Sequence, residues 1–228
     1  MPSSLLVVAG LGDGLGLALA RRFLEGGFRV AGIARTAPPR MMAGVHFYRA
    51  DLTDALATAA AFKDIAASHG SPTVLVHNAA ELVRGPFLEQ RAADFERAWR
   101  SNALTAFNAC QEAIPGMLDQ GGGTIIFSGA TASLRGSAGF APFAAAKFAL
   151  RGLAGSLARE FQGRGIHVAH VVLDGILWSE RSQARFPDLR RERCLTPEAV
   201  AETYWQLVHQ PRDAWTLELD LRPQSEVF

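Results

Sequence analysis

Cysteine is scarce. The 228 residues include only Cys110 and Cys194, isolated from each other and without metal-ligand spacing, which points to a reducing cytoplasm and to no metal site. Neither sign of charge is in excess: 23 basic side chains meet 22 acidic ones, for a formal net charge of +1. So balanced a chain has no strong attraction to nucleic acid or to an anionic membrane surface, and both partners are disfavoured. No uninterrupted apolar run reaches the roughly 18 residues of a membrane-spanning helix. No basic stretch followed by an apolar segment and a cleavage site opens the sequence, so a targeting leader is not expected. Internal repeats and low-complexity tracts are also missing. Tyrosine occurs only twice, as Tyr48 and Tyr204.

What is present is organised around residues 5–16. Leu5 to Ala9 reads as a buried strand, and it breaks into Gly10, Gly12, Gly14 and Gly16, with Leu11, Asp13 and Leu15 between them. Leu15, Leu19 and Phe23 then recur on one helical face until Gly26-Gly27 ends the pattern. A strand feeding a helix through glycines leaves unpaired N–H groups and the positive end of a helix dipole at the turn. A phosphate can sit there without interference from Cβ, and the natural ligand is a dinucleotide.

Strand-like and helical patterns alternate from there. Strands are predicted at 28–34, 45–50, 73–77, 124–128, 166–173 and 215–221, the last as an edge strand, with helices at 54–68, 92–118 and 141–161. Thr196-Pro197-Glu198 opens a final helix with proline in its first turn. The alternation predicts an α/β fold: one Rossmann domain over residues 1–228, a doubly wound, parallel, seven-stranded sheet with helices on both faces. Ligands then bind at the carboxyl ends of the strands.

Several landmarks occur in a fixed order: Gly10-x-x-x-Gly14-x-Gly16, Asp51-Leu52 after the third strand, Asn78-Ala79-Ala80 after the fourth, Asn102 in the next helix and Lys147 in the one after. With these the chain resembles the short-chain dehydrogenase/reductase family over essentially its whole length. The resemblance implies a nicotinamide cofactor, a small carbonyl or alcohol substrate, and a homodimer or homotetramer built through the helices bearing Asn102 and Lys147. It implies cofactor contacts at Gly10, Gly12, Asp13, Gly14, Leu15, Gly16, Arg35, Asp51, Leu52, Asn78, Ala79, Lys147 and Gly175.

The chain departs from the family where the chemistry is done. The family's proton-transferring tyrosine stands four residues before the lysine, and here that position is Phe143; seven residues before it stands Phe140. The family's serine, thirteen residues before the tyrosine, is matched by Ala130. The pattern resembles a divergent bacterial branch lacking both catalytic residues. Catalytic candidates are then Lys147, Asn102 and Asp174, each open to two readings. Lys147 holds ribose hydroxyls or, partly desolvated beside Phe140 and Phe143, donates the proton itself. Asn102 holds a relay water or braces backbone. Asp174-Gly175, where the family has Pro-Gly, offers an acid or base at the rim, or a turn aspartate bonded to nearby backbone. Ser128 and Thr131 are imperfect substitutes for the missing hydroxyl.

No carboxylate lies between Glu25 and Asp51 to bind a ribose diol, and Arg35 stands where a guanidinium would meet a 2′-phosphate. NADP is therefore expected, with NAD open, because Asp13 would repel that phosphate and Arg35 could equally be a solvated strand-end residue. Residues 176–194, with Trp178 and Phe186 among Arg181, Arg185, Arg190, Arg191 and Arg193, read as a lid over the site, either a solvated amphipathic cover or one suited to an anionic substrate. The alternative to an oxidoreductase is a dinucleotide-binding sensor or partner subunit without hydride chemistry.

Overall fold

A computed structural model describes residues 4–226. Seven strands, β1 (Leu5–Ala9), β2 (Arg29–Ala34), β3 (Val45–Arg49), β4 (Val74–His77), β5 (Gly123–Ser128), β6 (Ile166–Leu173) and β7 (Glu218–Leu221), form one sheet in the order β3-β2-β1-β4-β5-β6-β7. Every pairing is parallel. Helices α1 (Leu15–Glu25), α2 (Ala55–His69), α3 (Ala92–Trp99), α4 (Thr105–Asp119), α5 (Ala141–Phe161), α6 (Glu180–Arg185) and α7 (Pro197–Val208) connect or follow them.

The strands carry near-continuous apolar runs because both faces of the sheet are covered. Leu5, Val7 and Ala9 point one way and pack with Phe62, Ile65, Ala106, Leu150 and Ala154 of α2, α4 and α5. Leu6 and Val8 point the other way, onto Leu19 and Phe23 of α1 and Tyr204 and Leu207 of α7. The sheet order reverses between β1 and β4, so their carboxyl ends diverge and open a crevice.

Some boundaries differ from the sequence pattern for local reasons. Phe28 stays outside β2 because its N–H donates back to Phe23 O at the end of α1, at 2.9 Å, while its ring packs edge-on to Phe23 and Trp205. The pattern over 92–118 is not one helix: Arg100–Leu104 widens into a π turn between α3 and α4. Asn102 sits in that turn and spans it, donating to the carbonyls of Ala98 at 2.9 Å and Glu81 at 3.1 Å. Only Glu218–Leu221 of the last predicted strand pairs as β7, at the edge; Trp215 is instead stacked on His167, 5.0 Å between ring centroids.

One register row across β4, β5, β6 and β7 holds His77, Phe127, His170 and Glu218. His77 Nε2 shares a 2.8 Å hydrogen bond with Thr105 Oγ1, and His170 Nδ1 lies 3.3 Å from Glu218. Burial, helped by the charge of Lys147, drives His77 down to about 3; burial takes His170 to about 4 against the pull of Glu218. Both therefore fold uncharged.

Two outcomes are expected. Gly10 has φ +98°, and a Cβ there would stand 2.3 Å from Ala79 N. Gly10→Ala should cost at least about 2 kcal/mol in urea denaturation, since backbone and not a flexible side chain blocks it. For the histidines the unfolded chain binds protons that the folded one refuses, so stability is full above about pH 6.5 and falls as pH drops toward the folded values. Each contributes up to about 1.4 kcal/mol per pH unit in that window. His77→Gln and His170→Gln should each flatten the slope between pH 6.5 and 4.5, where carboxylates remain ionised.

Candidate active site

The four glycines after β1 divide the work. Gly10 and Gly16 permit packing: the Gly10 position touches Asn78 and Ala79 backbone, and a Cβ on Gly16 would lie 3.1 Å from Leu11 Cα. Nothing stands within 4 Å of a Cβ on Gly12, and on Gly14 only Ser179 at 3.7 Å. These two, with Leu15 and Gly16, line a crevice of about 740 Å3. No side chain caps the N-terminus of α1 and no acidic residue stands in its first turn. A phosphate fits this cradle, whose open side a Cβ would narrow.

The opposite wall comes from β4. Asn78 N and Ala79 N both donate to Ala9 O, at 2.8 and 2.9 Å, and Asn78 Nδ2 returns a bond to Gly10 O at 3.1 Å. Asn78 lines the crevice, as do Lys147 and Gly175. Gly10, Asp13, Arg35, Asp51, Leu52 and Ala79 do not. Leu52 is core, and its carbonyl accepts from Asn108 Nδ2 at 2.9 Å. Asp51 lies beyond the end of β3 with its carboxyl drawn below the usual value, chiefly by the Thr53 N–H and also by Arg35. Arg35 and Asp51 are thus neighbours at the exposed end of the sheet, beyond the crevice proper.

At the inner end α5 delivers Lys147, 2% exposed, with Nζ donating to Ser128 O at 2.9 Å. Burial alone lowers it to about 8. Its Nζ stands 5.6 Å from the centroid of Phe143, one turn earlier on the same helix. Phe143, Phe140 and Ala130 line the crevice, and neither tyrosine does. Tyr204 is fully buried under β5, its hydroxyl 3.0 Å from Ser128 Oγ. Thr131 Oγ1 donates to Asp174 Oδ1 at 2.5 Å. Both candidate substitute hydroxyls are therefore committed elsewhere.

Asp174 is not among the lining residues. Its second oxygen accepts from Arg222 Nη2, so the carboxylate ties the turn after β5 to the segment after β7. Burial opposes its charge, but the hydrogen bonds from Thr131 and Arg222 outweigh that and hold it below the usual carboxylate range. Asn102 Oδ1 is buried without a partner, while its amide spans the π turn. Of the three catalytic candidates, only Lys147 reaches the crevice.

The crevice also takes residues that spacing could not single out. Leu82 and Arg84 come from the loop after β4, Arg135 and Ser137 from the loop before α5. From 176–194, Ile176, Leu177, Ser179, Arg181, Ser182, Arg185 and Phe186 cover it, whereas Arg190, Arg191 and Arg193 do not line it. The one available signal was position, since loops at strand carboxyl ends surround ligands in such sheets.

Comparison with known proteins agrees with this geometry. The family model described as short chain dehydrogenase matches residues 4–189. The chain is 32% identical over 177 residues to 2-(S)-hydroxypropyl-CoM dehydrogenase 3 of Xanthobacter autotrophicus, covering 74% of this chain and 69% of that protein. A solved short-chain dehydrogenase from Rhodopseudomonas palustris superposes with a TM-score of 0.80 and 34% identity, covering 96% of this chain and 98% of that one. ElxO with NADP bound shares the fold at a TM-score of 0.85 and 21% identity, over 96% and 97% of the two chains. With its parallel sheet, open glycine turn and buried helix lysine, the chain belongs to the short-chain dehydrogenase family.

Proposed function

We propose that this protein is an NADP-dependent oxidoreductase of one domain, acting on a small carbonyl or alcohol through an active site that works without the family's serine and tyrosine. The observation that carries the reading is the single crevice running from Gly12 and Gly14 to Lys147 and Phe143. When bound, the nicotinamide supplies or accepts the hydride.

The chain's own groups do the rest. Main-chain amides at 12–15 hold the pyrophosphate at the start of α1, and Asn78 fixes the opposite wall by tying β4 to Gly10. Arg35 meets the 2′-phosphate from the end of β2, where its fork also offsets Asp51. Lys147 holds ribose hydroxyls and provides the proton. The other cations on the lining are arginines, which do not deprotonate, and its one carboxylate is Glu226. A lysine lowered to about 8 is mostly protonated at neutral pH yet gives up its proton more readily than an exposed one. Asn102 positions the π turn, and Asp174 braces the rim. Segment 176–194 serves as the lid.

One further feature supports the expected setting. Both cysteines are buried and free, which suits a reducing cytoplasm. Among the described residues no helix is long and apolar enough to cross a membrane. Exposed Phe95, Trp99, Phe107 and Phe148 on α3, α4 and α5 offer apolar surface for a homodimer or homotetramer.

Titration should find NADPH bound about tenfold or more tightly than NADH, with Arg35→Ala removing the difference. In a carbonyl-reduction screen, turnover should fall as pH rises through about 8, as the Lys147 ammonium is lost. Lys147→Met should cut turnover by about 100- to 10,000-fold. A wild type that binds neither nucleotide contradicts the proposal. So does a Lys147→Met variant with unchanged turnover and pH profile.

A further inference from the structure

The crevice is far more basic than the chain. Its lining has Arg84, Arg135, Arg181, Arg185 and Lys147 against one carboxylate, Glu226, while the whole sequence nets only +1. None of the four arginines makes an ion pair with another described residue, whereas Arg22, Arg91, Arg97, Arg100, Arg151 and Arg222 all do. Arg135 acts on Asp174 through space, but that carboxylate is already held by Thr131 and Arg222. Guanidinium groups gathered in a concavity that carries one carboxylate are arranged to meet an anion that comes from outside.

Two of them lie away from the glycine turn. Arg84 follows β4, and the next residue, Gly85, donates its N–H to Gly139 O at 2.8 Å, which joins this loop to the one before α5. Arg135 lies in that second loop, its N–H bonded to Thr131 O at 3.2 Å, just past Ala130. The Arg84 guanidinium is 5.3 Å from the ring centroid of Phe186, at the opposite end of α6 from Ser179, which faces Gly14. The phosphates of a dinucleotide are accounted for at Gly12–Leu15 and at Arg35, so Arg84 and Arg135 have no partner in the cofactor. The same crevice is lined by the apolar Leu82, Phe140, Phe143 and Phe186.

We infer that the substrate is an oxo or hydroxy compound with an apolar body and an anionic tail, the tail seated between Arg84 and Arg135 and the reacting oxygen lying toward Lys147. The inference rests on the oxidoreductase reading above and names the substrate class of that site. Carboxylate, sulfonate and phosphate tails share this chemistry, since each presents paired oxygens to a guanidinium fork.

The test uses 4-oxo-4-phenylbutanoate and its methyl ester, which differ only by the charged tail, titrated calorimetrically against the full chain with and without saturating NADPH. The acid should bind at least about tenfold more tightly than the ester, the worth of a charge-assisted pair, and added salt should weaken only the acid. Arg84→Gln with Arg135→Gln should abolish the preference, leaving ester affinity and NADPH affinity within about twofold, because both side chains are exposed and away from the nucleotide. Equal binding of acid and ester, a preference that survives in the double variant, or binding of neither probe at millimolar concentration overturns the inference. A persistent acid preference in a chain that does not bind NADPH would leave the anion seat standing and refute the oxidoreductase reading instead.

Discussion

The site depends on one backbone contact between β1 and β4. Ala9 O accepts from both Asn78 N and Ala79 N, and Asn78 Nδ2 donates back to Gly10 O, so the two strand ends are bound together just where the sheet order reverses. The approach is possible because Gly10 has no Cβ and takes φ +98°. With that point pinned, Gly12 and Gly14 stand clear of their neighbours, α1 starts with its N-terminal turn at the opening, and a crevice forms at the carboxyl ends of the strands.

At the other end of the crevice desolvation acts on Lys147. Lys147 is buried and holds one carbonyl, Ser128 O, with the apolar ring of Phe143 5.6 Å away. A phenol at that position would bring a hydroxyl to the ammonium; phenylalanine leaves the lysine, lowered by burial to about 8, without one. Ser128 and Thr131 keep their hydroxyls for Tyr204 and Asp174.

Most of the fold was readable from local pattern. Strand-length apolar runs, the glycine turn and the helix of Lys147 appear in the sequence because short-range periodicity and the lack of a Cβ at the glycines determine them. The π turn at Arg100–Leu104 was not, since the apolar pattern runs through it unbroken and the widening is held by Asn102 reaching Glu81, 21 residues away. Asp174 was placed correctly after β6 but its role was hidden, because Thr131 and Arg222 come from 43 and 48 residues away. Arg84 and Arg135 carried no spacing signal. Only folding brings two isolated loop arginines to one cavity, through the Gly85–Gly139 bond.

The central claim is that main-chain amides at the β1–α1 turn grip a pyridine dinucleotide lying along the crevice. Amide hydrogen exchange read by mass spectrometry, with and without saturating NADPH, tests it most directly. The account predicts slowed exchange in residues 10–18, 78–82 and 175–186, with α2 unchanged. Unaltered exchange across 10–18 under saturating nucleotide would contradict it.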